Sequence, residues 1–254
     1  MNALFVAFRG GDTEHGVWGP IGRLDYDGEL YRFCYTRGAK PSSGFRPFPQ
    51  MDDLEQVYRS EDLFPVFANR LLSPSRPEYE AYLRWGGFDP QHPPDPIAIL
   101  GVTEGIRQTD SIEVFPCPIP DAEGCYLNKF FLHGIQWMPP AARERISRLR
   151  EEEELYVMLD SCNVCDPKAA AVRTGYEPTM IGYVPRYLAS DVGRLLGECN
   201  PQFIRLIVDR VNRDAPWQQR LLCRMRACWP SGFQPCSDEA FQPIPRDVPA
   251  KCPA

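Results

Sequence analysis

The sequence predicts an α+β fold. It divides into a small amino-terminal α+β domain over about 1–110, a β-rich domain over about 111–230 and a Pro/Cys-rich tail over 231–254. Three observations predict this. Short runs alternate apolar and polar residues at the period of half-buried strands. Gly and Pro clusters punctuate those runs. Only a few short segments repeat apolar residues at helical spacing.

Taken in order, LFVAFRGG (4–11), WGPIGRLDYDG (18–28) and ELYRFCYTRG (29–38) read as strands, with Asp27-Gly28 as a hairpin signal. In 51–72, Leu54, Val57, Tyr58, Leu63, Phe64, Phe67 and Leu71 recur at helical spacing, which predicts a helix interrupted at Pro65. Residues 78–85 predict a short helix, and GGFDPQHPPDP (86–96) a loop that suits a hinge or crossover. Residues 111–138 read as two strands bracketing a Pro/Gly turn. Residues 139–155 open on prolines, which suit a first helical turn, and continue as an exposed charged helix whose Glu151–Glu154 run is a solvated end. Strands follow over 154–160, 169–174 and 180–184. A helix over 187–198 carries Leu188, Val192, Leu195 and Leu196 on one face, and a strand pair spans 203–212 and 219–229.

The apolar run at the amino terminus is too short for a signal peptide, and no window approaches the length of a membrane span, so a cytoplasmic protein without a membrane partner is expected. Net charge is -6, unevenly spread. Residues 127–254 hold 17 Lys and Arg against 15 Asp and Glu, whereas 1–126 hold 11 against 19. A basic face is therefore permitted on the second half only. The ten cysteines show no scaffold spacing, so reduced, buried or incidental thiols are expected. Of the three histidines, His15, His92 and His133, none falls in a catalytic pattern.

The most specific pattern is ELYVMLDSCNVCDPKAAAVRT followed by MIGYVPRYLASDVGRLL. It resembles the HIRAN domain, whose pattern is a strand, a loop Asn-Pro-Tyr-Asp-x-x-Ala, a strand, then Gly-Tyr-x-Pro-(Arg/Lys) leading a helix. Here the loop runs Asn163-Val164-Cys165-Asp166-Pro167-Lys168-Ala169-Ala170, and the second motif is Gly182-Tyr183-Val184-Pro185-Arg186. The preceding aromatic-x-x-Gly is Phe131-Leu132-His133-Gly134. The resemblance implies an OB-like β-barrel with two helices that binds the 3′ end of single-stranded DNA. It would put Phe131 at the stacking position, Asp166 against the terminal 3′-hydroxyl and Asn163 in the loop or at the end. Tyr183 would line the pocket and Arg186 would meet a phosphate. Such a site needs cations for phosphates, aromatic faces for bases and an acceptor for the hydroxyl.

The family's loop aromatic is Cys165 here and its loop proline is Val164. Loss of an aromatic platform costs about 1–3 kcal/mol per base. The alternative reading is that Asn163 and Asp166 only cap a turn. Cys162 and Cys165 form half a zinc site, with Cys223, Cys228 or Cys236 as the remaining candidates, though their spacings fit no standard knuckle.

In the first half, GRLDYDGELYRFCY followed by SEDLFPVFANRLL resembles the amino-terminal subdomain of HipA-like kinases. Ser73-Pro74 stands where that family closes on Pro-Glu-Gly, and no kinase core follows. Phe64 and Phe67 read as core. The sequence points to non-catalytic recognition of single-stranded DNA or its 3′ end, in DNA repair, replication-fork handling or phage defence, beside a helicase, nuclease or defence protein. The alternative is a protein–protein adaptor of a toxin–antitoxin or defence system. A metal-dependent nuclease lacks candidate ligands.

Overall fold

The first sheet does not follow the predicted alternation: Leu4, Phe5, Val6 and Ala7 are buried in succession, because both faces of its central strands are covered. The structure, a computed structural model, describes residues 2–10, 17–40, 44–107 and 109–248; His15 and Cys252 lie outside the described residues. The chain divides into two units. Unit 1 takes the described residues of Met1–Arg76, Pro94–Cys117 and Gln234–Ala254, and unit 2 takes Pro77–Pro93 and Pro118–Phe233.

Unit 1 is an antiparallel sheet of β1 (Asn2–Gly10), β2 (Val17–Tyr26), β3 (Tyr31–Tyr35), β4 (Tyr58–Ser60) and β5 (Ile112–Pro116), in the order β4-β3-β2-β1-β5. The hairpin between β2 and β3 forms where Asp27-Gly28 predicts it. Asp27 Oδ1 accepts from the Glu29 and Leu30 amides, and Gly28 takes φ 104°. Leu4, Leu24 and Phe33 line up across the strands on one face and enter a core with Phe48, Phe64 and Phe67.

The helix predicted over 51–72 does not form as such. Tyr58 pairs with Phe33 as part of β4, and Pro65 opens the single turn α1 (Pro65–Ala68) rather than interrupting a longer helix. The helix α3 (Pro96–Thr103) escapes periodicity because Ile97, Ile99, Leu100 and Thr103 are all buried; Asp95 caps it, accepting from the Ala98 amide at 3.0 Å. The two strands predicted in 111–138 exist but do not pair. The first is β5, bonded to β1; the second belongs to the other sheet. The carboxy-terminal segment is no loose tail. The Ile244 amide donates to Tyr35 O at 2.9 Å, and the Phe241 ring lies 4.9 Å from Phe5.

Unit 2 contains β6 (Cys125–Phe131), β7 (Glu154–Leu159), β8 (Ala170–Thr174), β9 (Met180–Tyr183), β10 (Arg205–Val211) and β11 (Leu221–Cys228), ordered β6-β11-β10-β7-β8-β9. The sheet curls until its two end strands meet. Just past β6, His133 exchanges both backbone hydrogen bonds with Tyr183, each 2.9 Å. The result is an OB-like half-barrel with one stitched seam. Two helices accompany it within the predicted domain, α4 (Pro140–Ser147) and α5 (Arg186–Glu198).

The Glu151–Glu154 run is not a helix end: α4 stops at Ser147, Glu152 turns the chain at φ 65°, Glu153 pairs with Arg145 at 2.5 Å, and Glu154 opens β7. The helix predicted at 78–85 is α2 (Tyr79–Trp85), which belongs to unit 2. Its Trp85 carbonyl accepts from Asn212 and its indole donates to Asp214, while Gly87 sits against Leu222.

Not all thiols are free: Cys199 at the end of α5 and Cys228 at the end of β11, with Cα atoms 6.0 Å apart, form a disulfide. That removes Cys228 as a partner for Cys162 and Cys165. Among the described residues, no group of three or more His, Cys, Asp and Glu is placed to hold a metal, and no helix is long and apolar enough to cross a membrane. Burial pushes the Cys34 thiol up to about 12 and Cys223 higher still, whereas Cys162 and Cys165 are exposed. Only thiolate alkylates quickly. Iodoacetamide at pH 8 is therefore expected to label Cys162 and Cys165 in the folded protein and to spare Cys34 and Cys223 until denaturant is added. Peptide mass spectrometry checks this; early labelling of Cys223 contradicts the burial.

Candidate nucleic-acid interface

The loop 161–168 joins β7 to β8 and is closed at its base by the Asp160 amide donating to Ala169 O at 2.8 Å. Asn163 organises it. Its Oδ1 accepts from the Cys165 amide at 3.0 Å and the Asp166 amide at 3.2 Å, and its Nδ2 donates to Asp160 Oδ2 at 3.2 Å. The same carboxylate oxygen accepts from the Tyr183 hydroxyl at 3.0 Å. Asp160, which the sequence motifs did not single out, thus ties the loop to the seam strand. Burial raises the Tyr183 pKa, as does its donation to Asp160, so the ring stays a neutral donor.

Asp166 bonds in two directions. Its Oδ1 accepts from the Lys168 amide at 2.9 Å, and its Oδ2 lies 3.4 Å from Arg186 Nε. Arg186 opens α5 directly after the Gly-Tyr-Val-Pro run, which explains how two motifs distant in sequence meet. The structure therefore brings Asn163, Asp166, Tyr183 and Arg186 together. Asn163 and Asp166 do cap their own turn; Asp166 in addition faces a cation. Cys165 is exposed beside them.

Phe131 does not fit the stacking role. It is 1 % exposed and sits opposite Leu222 on the strand face against which Gly87 packs, so its ring offers no free face to a base. A different aromatic is available. Gly134, at φ 75°, approaches the Tyr183 ring so closely that a Cβ would lie 3.4 Å from it. The short helical turn Ile135–Trp137 follows, and Trp137 is 80 % exposed. That turn packs against the turn Trp217–Gln219, where the guanidinium of Arg220 lies 4.5 Å and that of Arg143 5.5 Å from the Trp217 ring centre. The available signal was two tryptophans in Gly- and Pro-marked turns rather than in strands.

Comparisons with known proteins fall on this unit. Residues 128–225 match the HIRAN domain family. Among solved structures, a Lactobacillus plantarum protein is 20% identical, with a TM-score of 0.33, over 41% of this chain and 97% of its own. The HIRAN domain of human HLTF is 12% identical, with a TM-score of 0.31, over 42% of this chain and 81% of its own. No curated protein matches the chain. The family match spans both motifs, the loop around Asn163 and the Gly182–Arg186 run, and the chain thus carries a HIRAN domain over residues 128–225.

Proposed function

We propose that unit 2 binds single-stranded nucleic acid and receives its free 3′ end at the loop 161–168, as a recognition module rather than a catalyst. The observation that carries this is the Asp166–Arg186 pair beside Tyr183. A guanidinium next to a carboxylate suits a strand terminus: Arg186 meets the last phosphate and Asp166 accepts from the hydroxyl. The loop is held by its own hydrogen bonds before any ligand arrives, so little ordering is needed on binding. Work in DNA repair, replication-fork handling or phage defence fits such a module.

Cys165 in the aromatic's place favours a second reading, a protein–protein adaptor, in which no oligonucleotide binds. Arg186→Ala separates the two. It is expected to weaken binding of short 3′-hydroxyl oligonucleotides and to reduce the slope of log affinity against log salt by about 0.7, one phosphate contact on a single strand. Fluorescence polarisation at several salt concentrations measures this. An unchanged slope would count against the phosphate role.

A further inference from the structure

We infer that Trp137 is a stacking platform for an unpaired nucleobase, with Arg143 as a phosphate contact beside it. This rests on the single-strand reading above and adds where a base close to the strand end sits.

The backbone that carries the ring is fixed. Ile135, at the start of the turn, is 1 % exposed, the Trp137 amide donates to Gly134 O at 3.0 Å, and Pro139 and Pro140 stiffen the path into α4. An indole that is 80 % exposed on so fixed a turn presents a flat face, and binding need order only its side-chain rotation. Trp217 cannot serve in its stead, since Arg220 and Arg143 both lie against its ring. Arg220 is further occupied, donating to Arg213 O at 2.7 Å and Ala215 O at 2.5 Å.

Arg143 is different. Among the described residues it has no carboxylate partner, and neither have Arg148 and Arg150 on the same stretch; Arg145 alone is neutralised, by Glu153. A bare aromatic face, on a turn packed against the turn over which Arg143 lies, complements a polyanion that carries flat rings. A protein hot spot would instead need an apolar surround that excludes water. The chain thereby supplies from the Gly134 turn the aromatic that its loop lacks at Cys165 and that Phe131 buries.

The test uses the full chain and short 3′-hydroxyl single strands carrying an abasic nucleotide at each of the terminal positions in turn, read by fluorescence polarisation. Wild-type protein is expected to lose about tenfold in affinity at one abasic position. Trp137→Ala should lose about tenfold on the intact strand and then be indifferent to that abasic position, while Trp137→Phe retains most of the affinity. Arg143→Ala should lower the salt slope. Trp137→Ala binding the intact strand as wild type does would overturn the platform while leaving single-strand recognition in place. Absence of binding to any oligonucleotide by the wild-type protein would overturn both.

Discussion

Gly182→Ala is expected to destabilise unit 2 by about 2–5 kcal/mol, through a single methyl group placed in the barrel seam. The new Cβ would stand 2.5 Å from His133 O and 2.9 Å from the Leu132 side chain, at a backbone φ of 154°. His133 O cannot yield cheaply, because it accepts from the Tyr183 amide and closes the half-barrel. Leu132 is 1 % exposed and has nowhere to go. Either the bridge lengthens or the core is pushed apart, and both carry Tyr183 away from Asp160. Denaturant unfolding measures the cost, and faster amide exchange at Tyr183 locates it. A variant within about 0.5 kcal/mol of wild type would mean the seam is not under this constraint.

Asp166→Asn is expected to shift the preference between 3′-hydroxyl and 3′-phosphate ends by about tenfold or more. In the wild-type protein a terminal phosphate would lack the hydroxyl donor and bring a dianion against a carboxylate. Asparagine keeps an oxygen for the Lys168 amide but releases Arg186, which today faces Asp166 Oδ2 at 3.4 Å. Both changes favour the phosphate, while hydroxyl ends lose only about 1 kcal/mol. Parallel titrations of the two oligonucleotides against both proteins give the ratio. Equal affinity for the two ends in both proteins would retire end recognition and leave Asp166 as a turn cap.

The candidate site was legible because its residues are set by local backbone needs. Asn163 and Asp166 bond amides two or three positions ahead, and Arg186 follows a proline that starts a helix. Short motifs record such demands directly. Burial from a distance leaves no such record. Phe131 reads as an available aromatic until segment 77–93, remote in sequence, covers its strand face at Leu222. Asp160 is an ordinary strand end until Tyr183 reaches it.

The error over 51–72 has a similar cause. Leu54, Tyr58, Leu63 and Leu71 do contact the core of unit 1, but as points along a segment laid over a sheet, whose spacing imitates a helix. In α3 the opposite holds: burial around the helix erases the period. The likeness of the first residues to the HipA leader rests on their motifs alone.

The order in which the two units take up sequence constrains how the polypeptide can emerge from a ribosome. The strands β1 to β4 are made first, yet Phe5 and Tyr35 wait for Phe241 and Ile244, which are translated only after all of unit 2. Unit 2 has the reverse problem, since Trp85 exists long before the Asn212 and Asp214 that hold it. Unit 2 is complete in sequence at Phe233, whereas unit 1 cannot finish until all of unit 2 has been made. A nascent chain paused near residue 200 would have apolar surface of the first sheet uncovered and α2 without its anchors, the state in which such a chain is most exposed to chaperones and proteases.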